Sequence, residues 1–335
     1  KALPLHEEVL ELKKAQLGTD HPETLSSMNN LASCYRAAGQ IDKALPLFEK
    51  TLEMRTARLG SDHPDTLTTM SNLAVAFQTI GQPKDALPLI VKTLEIRKAK
   101  LGEDHPDTLL SMNTLASCYV ALQQLDKALP LYELTWEKKK TKFGLDHPDT
   151  LVSMNNLAMA YRNANQMDKA MPMFEQSLEL SKVNLGVDHP STLLSMNNLA
   201  SAYQAAGELE LAMPLYEQTL ELRKAKLGPD HPDTLMSMNN IAAGYREAGD
   251  LGQAMSLYEQ ALDGLMKKLG PDHPNVLQIL SNVLATYSAA TESEKYDRLF
   301  PEAMQKWRKL YPANSAQLAG VLARSGQCCL EMKRP

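Results

Sequence analysis

Apolar and polar residues along this chain fall into helical stripes, and the stripes themselves recur. In residues 60–101, Leu67, Met70, Leu73, Ala74 and Phe77 stand at i, i+3, i+6, i+7 and i+10, which is one face of a helix. A second stripe follows in Ala86, Leu87, Ile90, Leu94 and Leu101, with Lys92, Glu95, Arg97 and Lys100 covering the remainder of that segment. The spacing predicts a first helix from Pro64 to about Ile80, closed by Gly81, and a second helix starting near Pro83-Lys84. Pro64 suits a first helical turn, where a missing N–H costs nothing. Asp65 is favoured beside the positive end of the helix dipole. Either Asp62 or His63 is the N-cap. Pro88 falls in the early turns of the second helix, at the cost of one hydrogen bond, and Pro46, Pro130, Pro172 and Pro214 are its equivalents.

The same pattern returns every 42 residues. Asp-His-Pro occurs seven times, with its histidine at His21, His63, His105, His147, His189, His231 and His273. A fixed period in this range marks stacked supersecondary units. Each unit offers about five large apolar side chains, worth roughly 1.5–3 kcal/mol each when buried. Ordering costs ~1–2 kcal/mol per residue of backbone, so one unit cannot fold alone and must stack on its neighbours. The connections are short and no Ser/Gly linker interrupts them. Residues 1–290 are therefore expected to be one array that starts inside a second helix, and residues 291–335 an irregular helical cap. In that cap Thr291 and Tyr296 break the pattern and Trp307 would seal the apolar end. The chain opens on Lys1 in mid-pattern, which suggests a piece of something longer.

Composition narrows the function by exclusion. A net charge of −5 gives no field to attract nucleic acid or an anionic membrane. No apolar run is long enough to span a bilayer and no signal peptide is visible, so the expected setting is cytoplasmic. Cys34 and Cys118 share one repeat position two repeats apart, roughly 20 Å by helix spacing, too far for a disulfide. Ala76, Ala160, Ala202 and Gly244 occupy that position elsewhere, so reduced, packed thiols are expected; Cys328 and Cys329 complete the set. Equivalent histidines lie roughly 10 Å apart and cannot share a metal, which leaves them capping or packing and implies no metal and no cofactor. Ser, His and Asp recur symmetrically, whereas catalysis needs one asymmetric constellation, and no phosphate-binding or kinase loop is present. An enzyme is not expected. The first-helix face lacks the basic stripe and stacking aromatics of an RNA reader.

Leu31-Ala32, Tyr35, Gly39, Ala44 and Phe48 carry the spacing of the tetratricopeptide signature. Leu157-Ala158, Tyr161, Asn165, Ala170 and Phe174 repeat it with Asn for Gly, and Leu199-Ala200, Tyr203, Gly207, Ala212 and Tyr216 repeat it again. With its 42-residue period the chain resembles tetratricopeptide arrays of the kinesin light chain type, in the variety found in bacterial multidomain proteins. The resemblance implies an all-α fold, an α-solenoid in which antiparallel helix pairs form a right-handed superhelix. It implies a concave groove lined by first helices, and a non-catalytic scaffold for a protein or an extended, acidic peptide. An alternative is a regulatory arm docking on the catalytic domain of a larger enzyme. By position one row of the groove would hold Asn29, Asn113, Asn155, Asn197 and Asn239. A second would hold Asn30, Asn72, Asn156, Asn198, Asn240 and Asn282, broken by Thr114. In grooves of this type such asparagines hold peptide backbone, since an amide offers two donors and two acceptor sites. Arg36, Arg162 and Arg246 could clamp carboxylates. The competing reading makes the asparagines a structural ladder between helices.

Overall fold

A computed structural model describes residues 2–270, 273–290, 300–301, 304–305 and 308. These residues form fourteen α-helices and no strand: α1 (Ala2–Leu17), α2 (Pro22–Ala37), α3 (Ile41–Leu59), α4 (Pro64–Thr79), α5 (Pro83–Leu101), α6 (Pro106–Ala121), α7 (Leu125–Phe143), α8 (Pro148–Asn163), α9 (Met167–Leu185), α10 (Pro190–Ala205), α11 (Leu209–Leu227), α12 (Pro232–Glu247), α13 (Leu251–Leu269) and α14 (Pro274–Ala289). Even-numbered helices are the first helices of the repeats and odd-numbered ones the second. The chain divides into two units, Lys1–Gln166 and Met167–Pro335, each described by itself. Within each, every helix packs on the next one in sequence, giving the expected all-α solenoid of helix pairs. The connections are too short for anything but antiparallel neighbours. The expected C-terminal cap, with Trp307, Cys328 and Cys329, lies outside the described residues apart from helical positions 300–301, 304–305 and 308.

The Asp-His-Pro triplet shows how the sequence sets each first helix. His21, His63, His105, His147, His189, His231 and His273 are the N-caps, with extended backbone, and proline follows at the first helical position. In each, Nδ1 accepts the backbone N–H two residues on, at 3.2 Å for His63 and 3.3 Å for His21. That satisfies one of the orphan donors of a helix start. Asp-His-Pro aspartates instead hold basic residues from the end of the following second helix. Arg58 reaches Asp20 at 2.6 Å, Lys226 reaches Asp188 at 2.8 Å, and Lys100 pairs with Asp62.

The turn between the two helices of a repeat needs one left-handed residue. Gly81 provides it at φ 74°, while Asn165 at φ 57° and Gln123 at φ 60° take the same role. Asparagine tolerates this region and glutamine does so less readily. The remaining stripe residues behave as the pattern requires. Leu67, Met70, Leu73 and Ala74 are buried on α4, and Ala86, Ile90 and Leu94 on α5.

Two residues of α5 depart from the expectation. Leu101 was placed in the apolar stripe, yet it is 43% exposed, at the last position of the helix, where the chain turns away through Gly102. Arg97 was placed on the solvated face, yet it is only 5% exposed. Its Nη1 donates to Asp107 O at 3.2 Å and to Ser111 Oγ at 2.8 Å, tying α5 to the first turns of α6. Arg55 binds Asp65 O and Thr69 Oγ1, both at 2.8 Å, and Arg223 binds Asp233 O at 3.0 Å and Ser237 Oγ at 2.8 Å. Burial pulls these guanidinium groups down from the usual arginine range, opposed by Asp65, Asp107 and Asp233 respectively. Cys34 is half-buried and Cys118 buried, and both are free thiols; burial pushes the Cys118 thiol up. None of the described helices is long and apolar enough to cross a membrane.

Candidate functional site

First helices of successive repeats touch one another: α2 with α4 and α4 with α6 in the first unit, α10 with α12 and α12 with α14 in the second. No two second helices approach to the same extent within a unit. First helices of neighbouring repeats thus approach one another along one side of each stack, and the two asparagine rows lie on those helices.

The rows are joined to each other. Asn72 Nδ2 donates to Asn29 Oδ1 at 3.2 Å and Asn156 Nδ2 to Asn113 Oδ1 at 3.2 Å in the first unit. In the second unit Asn240 donates to Asn197 at 2.8 Å and Asn282 to Asn239 at 2.9 Å. Each link runs from one repeat to the preceding one, 43 residues back. Asn155 Nδ2 donates to Leu151 O at 3.1 Å within its own helix, and Asn239 Nδ2 to the neighbouring Asn240 Oδ1 at 3.1 Å. Asn29, Asn155, Asn198 and Asn239 are buried, while Asn72, Asn113, Asn156, Asn197, Asn240 and Asn282 are half-buried and Asn30 is exposed. The structural ladder is therefore present, and it runs between the rows rather than along either one.

Arg36, Arg162 and Arg246 are half-buried on the same helices, one and a half to two turns further on. Arg36 Nε is buried without a hydrogen-bond partner among the described residues. At the equivalent position Gln204 donates to Glu247 at 2.8 Å and accepts from Tyr216 at 2.9 Å. Toward the helix N-termini lies a feature that stripe reading missed. Leu110 and Val152 in the first unit and Leu194 in the second are 54%, 41% and 46% exposed, at one repeat position about a turn from the amides. The signal was legible: that position follows each Thr-Leu pair, and it is Ser26 and Thr68 in the first two full repeats but Leu, Val, Leu and Met236 in the next four.

A further set of inter-repeat links was also missed. The signature tyrosine of a first helix donates its hydroxyl to a glutamate on the preceding second helix. Tyr161 does so to Glu133 at 2.6 Å, Tyr203 to Glu175 at 2.8 Å, Tyr245 to Glu217 at 3.2 Å and Tyr287 to Glu259 at 2.7 Å, and Tyr35 bonds Glu7. The Glu7 hydrogen bond, then burial, pushes the Tyr35 hydroxyl up to about 12. Burial, followed by the glutamate, does the same for Tyr161 and Tyr203. The partner lies 28 residues upstream, in another repeat, so no local motif announces it.

The tetratricopeptide repeat family model matches residues 1–57, 29–99, 81–135, 149–225 and 191–267. The chain belongs to the tetratricopeptide repeat family. Among solved structures, a Podosopora anserina protein assigned as a kinesin light chain with nearly identical TPR-like repeats is 33% identical, with a TM-score of 0.51 over 62% of this chain and 98% of that one. BtubC (BKLC) from P. vanneervenii is 20% identical, with a TM-score of 0.52 over 75% of this chain and 96% of that one. A signal-transduction ATPase of Pyrococcus horikoshii with a tetratricopeptide repeat sensor is 13% identical, with a TM-score of 0.55 over 99% of this chain and 50% of that one; like the second, it shows the shared fold. Comparison with curated proteins gives no match. The tetratricopeptide array is thus of the kinesin light chain kind, as the resemblance implied. Repeats of this family generally act as non-catalytic scaffolds for protein interaction.

Proposed function

We propose that this tetratricopeptide array binds an extended peptide segment along the first-helix side. The observation that carries the reading is the half-buried state of the linked amides. Asn72, Asn113, Asn156, Asn197, Asn240 and Asn282 are fixed in place by their links, yet still reach the surface. Each amide has two donors and two acceptor sites, and a single link uses one of them. An extended backbone offers one donor and one acceptor per residue, so a row of pre-oriented amides suits it. Leu110, Val152 and Leu194 would receive apolar side chains of the guest beside the amides. Arg36, Arg162 and Arg246, on the other flank, favour a guest with carboxylates. Asn29 and Asn239 are buried, so they act on the guest through the amides they hold in place; Asn155 is buried and bonded to Leu151 O, and would act only by shaping the wall beside Asn156. The array serves as a scaffold, without chemistry of its own.

The test is selection of binders from a displayed library of unstructured peptides, followed by titration against the chain carrying Asn156→Ala, Asn198→Ala and Asn240→Ala. Binding is expected to weaken by about tenfold, equivalent to ~1.4 kcal/mol, while the helical signal persists. Unchanged affinity per folded molecule would reduce the asparagines to a structural ladder.

A further inference from the structure

The second-helix side carries two clefts at equivalent places, one in each unit and 210 residues apart. The first, about 470 Å³, has Leu10, Leu31, Leu47 and the Tyr35 ring as its apolar surface. The second, about 480 Å³, has Leu220, Ile241, Leu257 and the Tyr245 ring. Both are walled by a pair of glutamates, Glu7 and Glu11 in one and Glu217 and Glu221 in the other. In both, the first glutamate accepts the tyrosine hydroxyl.

Their charges differ. Lys14, Lys43 and Lys50 line the first cleft, and no basic residue lines the second. Lys43 Nζ stands 5.2 Å from the centre of the Tyr35 ring, and in another repeat of the same unit Lys127 stands 5.4 Å from that of Tyr119. The protein's own lysine thus fills the aromatic face of the first cleft. In the second cleft that position is Gln253, whose side chain donates to Asp250 at 2.9 Å, and Lys50 is replaced by Gln260. Lys224, the counterpart of Lys14, pairs with Glu221 at 3.0 Å. Glu217 keeps only the Tyr245 hydroxyl and has no ion pair among the described residues.

We propose that the α11–α13 cleft binds a lysine side chain presented by a protein partner. The stem lies over Leu220, Ile241 and Leu257, and the ammonium group sits over the Tyr245 ring beside Glu217. The ring face for the cation is the one Lys43 uses over Tyr35 in the first cleft; Leu220, Ile241 and Leu257 would add an apolar bed for the methylenes and Glu217 a carboxylate for the charge. The lining comes from α11, α12 and α13 and includes no asparagine, so the site does not depend on the asparagine rows.

The experiment uses the full chain with 3-fluorotyrosine in place of its 11 tyrosines, and fluorine NMR at mildly acidic pH. Tyr245→Phe assigns the Tyr245 resonance and Tyr35→Phe that of Tyr35. The probes are acetyl-Ala-Lys-Ala-amide and its norleucine counterpart. The lysine peptide is expected to move the Tyr245 resonance saturably and to leave Tyr35 in place, and the norleucine peptide to move neither. Glu217→Gln should weaken the effect at least about fivefold, and Gln253→Lys should abolish it by supplying a resident lysine. Both positions are exposed, so these variants keep the fold. No response of Tyr245 to the lysine peptide, an equal response to norleucine, or undiminished binding in Gln253→Lys would overturn the proposal.

Discussion

Polar groups hold repeat to repeat on both sides of each stack, in opposite ways. On the first-helix side, asparagine meets asparagine and at least one member of each pair stays half-exposed, with hydrogen-bonding capacity to spare. On the second-helix side, Arg55, Arg97 and Arg223 are buried and bind backbone carbonyls and hydroxyls of the next first helix. The difference teaches that a repeated polar residue is not by itself a ligand contact. What matters is whether its neighbours leave it capacity that solvent, or a guest, can reach.

Three measurements sharpen the comparison. The largest effect is expected from Arg97→Ala, which empties a buried site and removes the arginine's bonds to the Asp107 carbonyl and the Ser111 hydroxyl, leaving those two bonded to each other at 3.0 Å. A loss of about 2–4 kcal/mol in urea unfolding is expected, with affinity for a peptide on the first-helix side unchanged in the folded fraction. Arg97→Leu should cost less, because the repeat accommodates Leu265, fully buried, at the same position. If Arg97→Ala were harmless, the buried arginines would not be the fasteners described here. Next comes Asn72→Ala, which removes one half-exposed link and should cost only about 0.5–1.5 kcal/mol in the same assay. A cost equal to that of Arg97→Ala would erase the contrast between the two sides.

The smallest effect concerns the tyrosine–glutamate links. Tyr35, Tyr161 and Tyr203 are pushed from 10.0 up to about 12, so between those values the folded chain retains protons that the unfolded chain has released. Stability contributed by the links is full below pH 10 and falls as pH rises toward about 12. Urea midpoints across that range should decline less steeply in Tyr203→Phe than in the unmodified chain. Identical slopes would show that this hydroxyl adds nothing to pH dependence.

The helices themselves were legible residue by residue. Pro64 and Gly81 bracket α4, and Leu67, Met70, Leu73 and Ala74 are its buried face, because capping and burial act within a few residues of one another. The histidine's role emerged only with coordinates: Asp62 and His63 are both competent caps, and backbone geometry chose His63. Arg97 and Leu101 exchanged their expected places for the same reason. A helical stripe gives the direction a side chain points but not how far the neighbouring helix covers it.

By itself, then, the chain's spacing determined the repeat and the pairing of helices, since both follow from local periodicity, and its signature residues carried the family resemblance. The asparagine rows were visible as rows. That Asn72 holds Asn29, that Tyr245 holds Glu217, and that one cleft contains its own lysine while its equivalent does not, only the tertiary structure decided. The first two contacts join residues 43 and 28 positions apart, and stacking, not local sequence, brings such residues together.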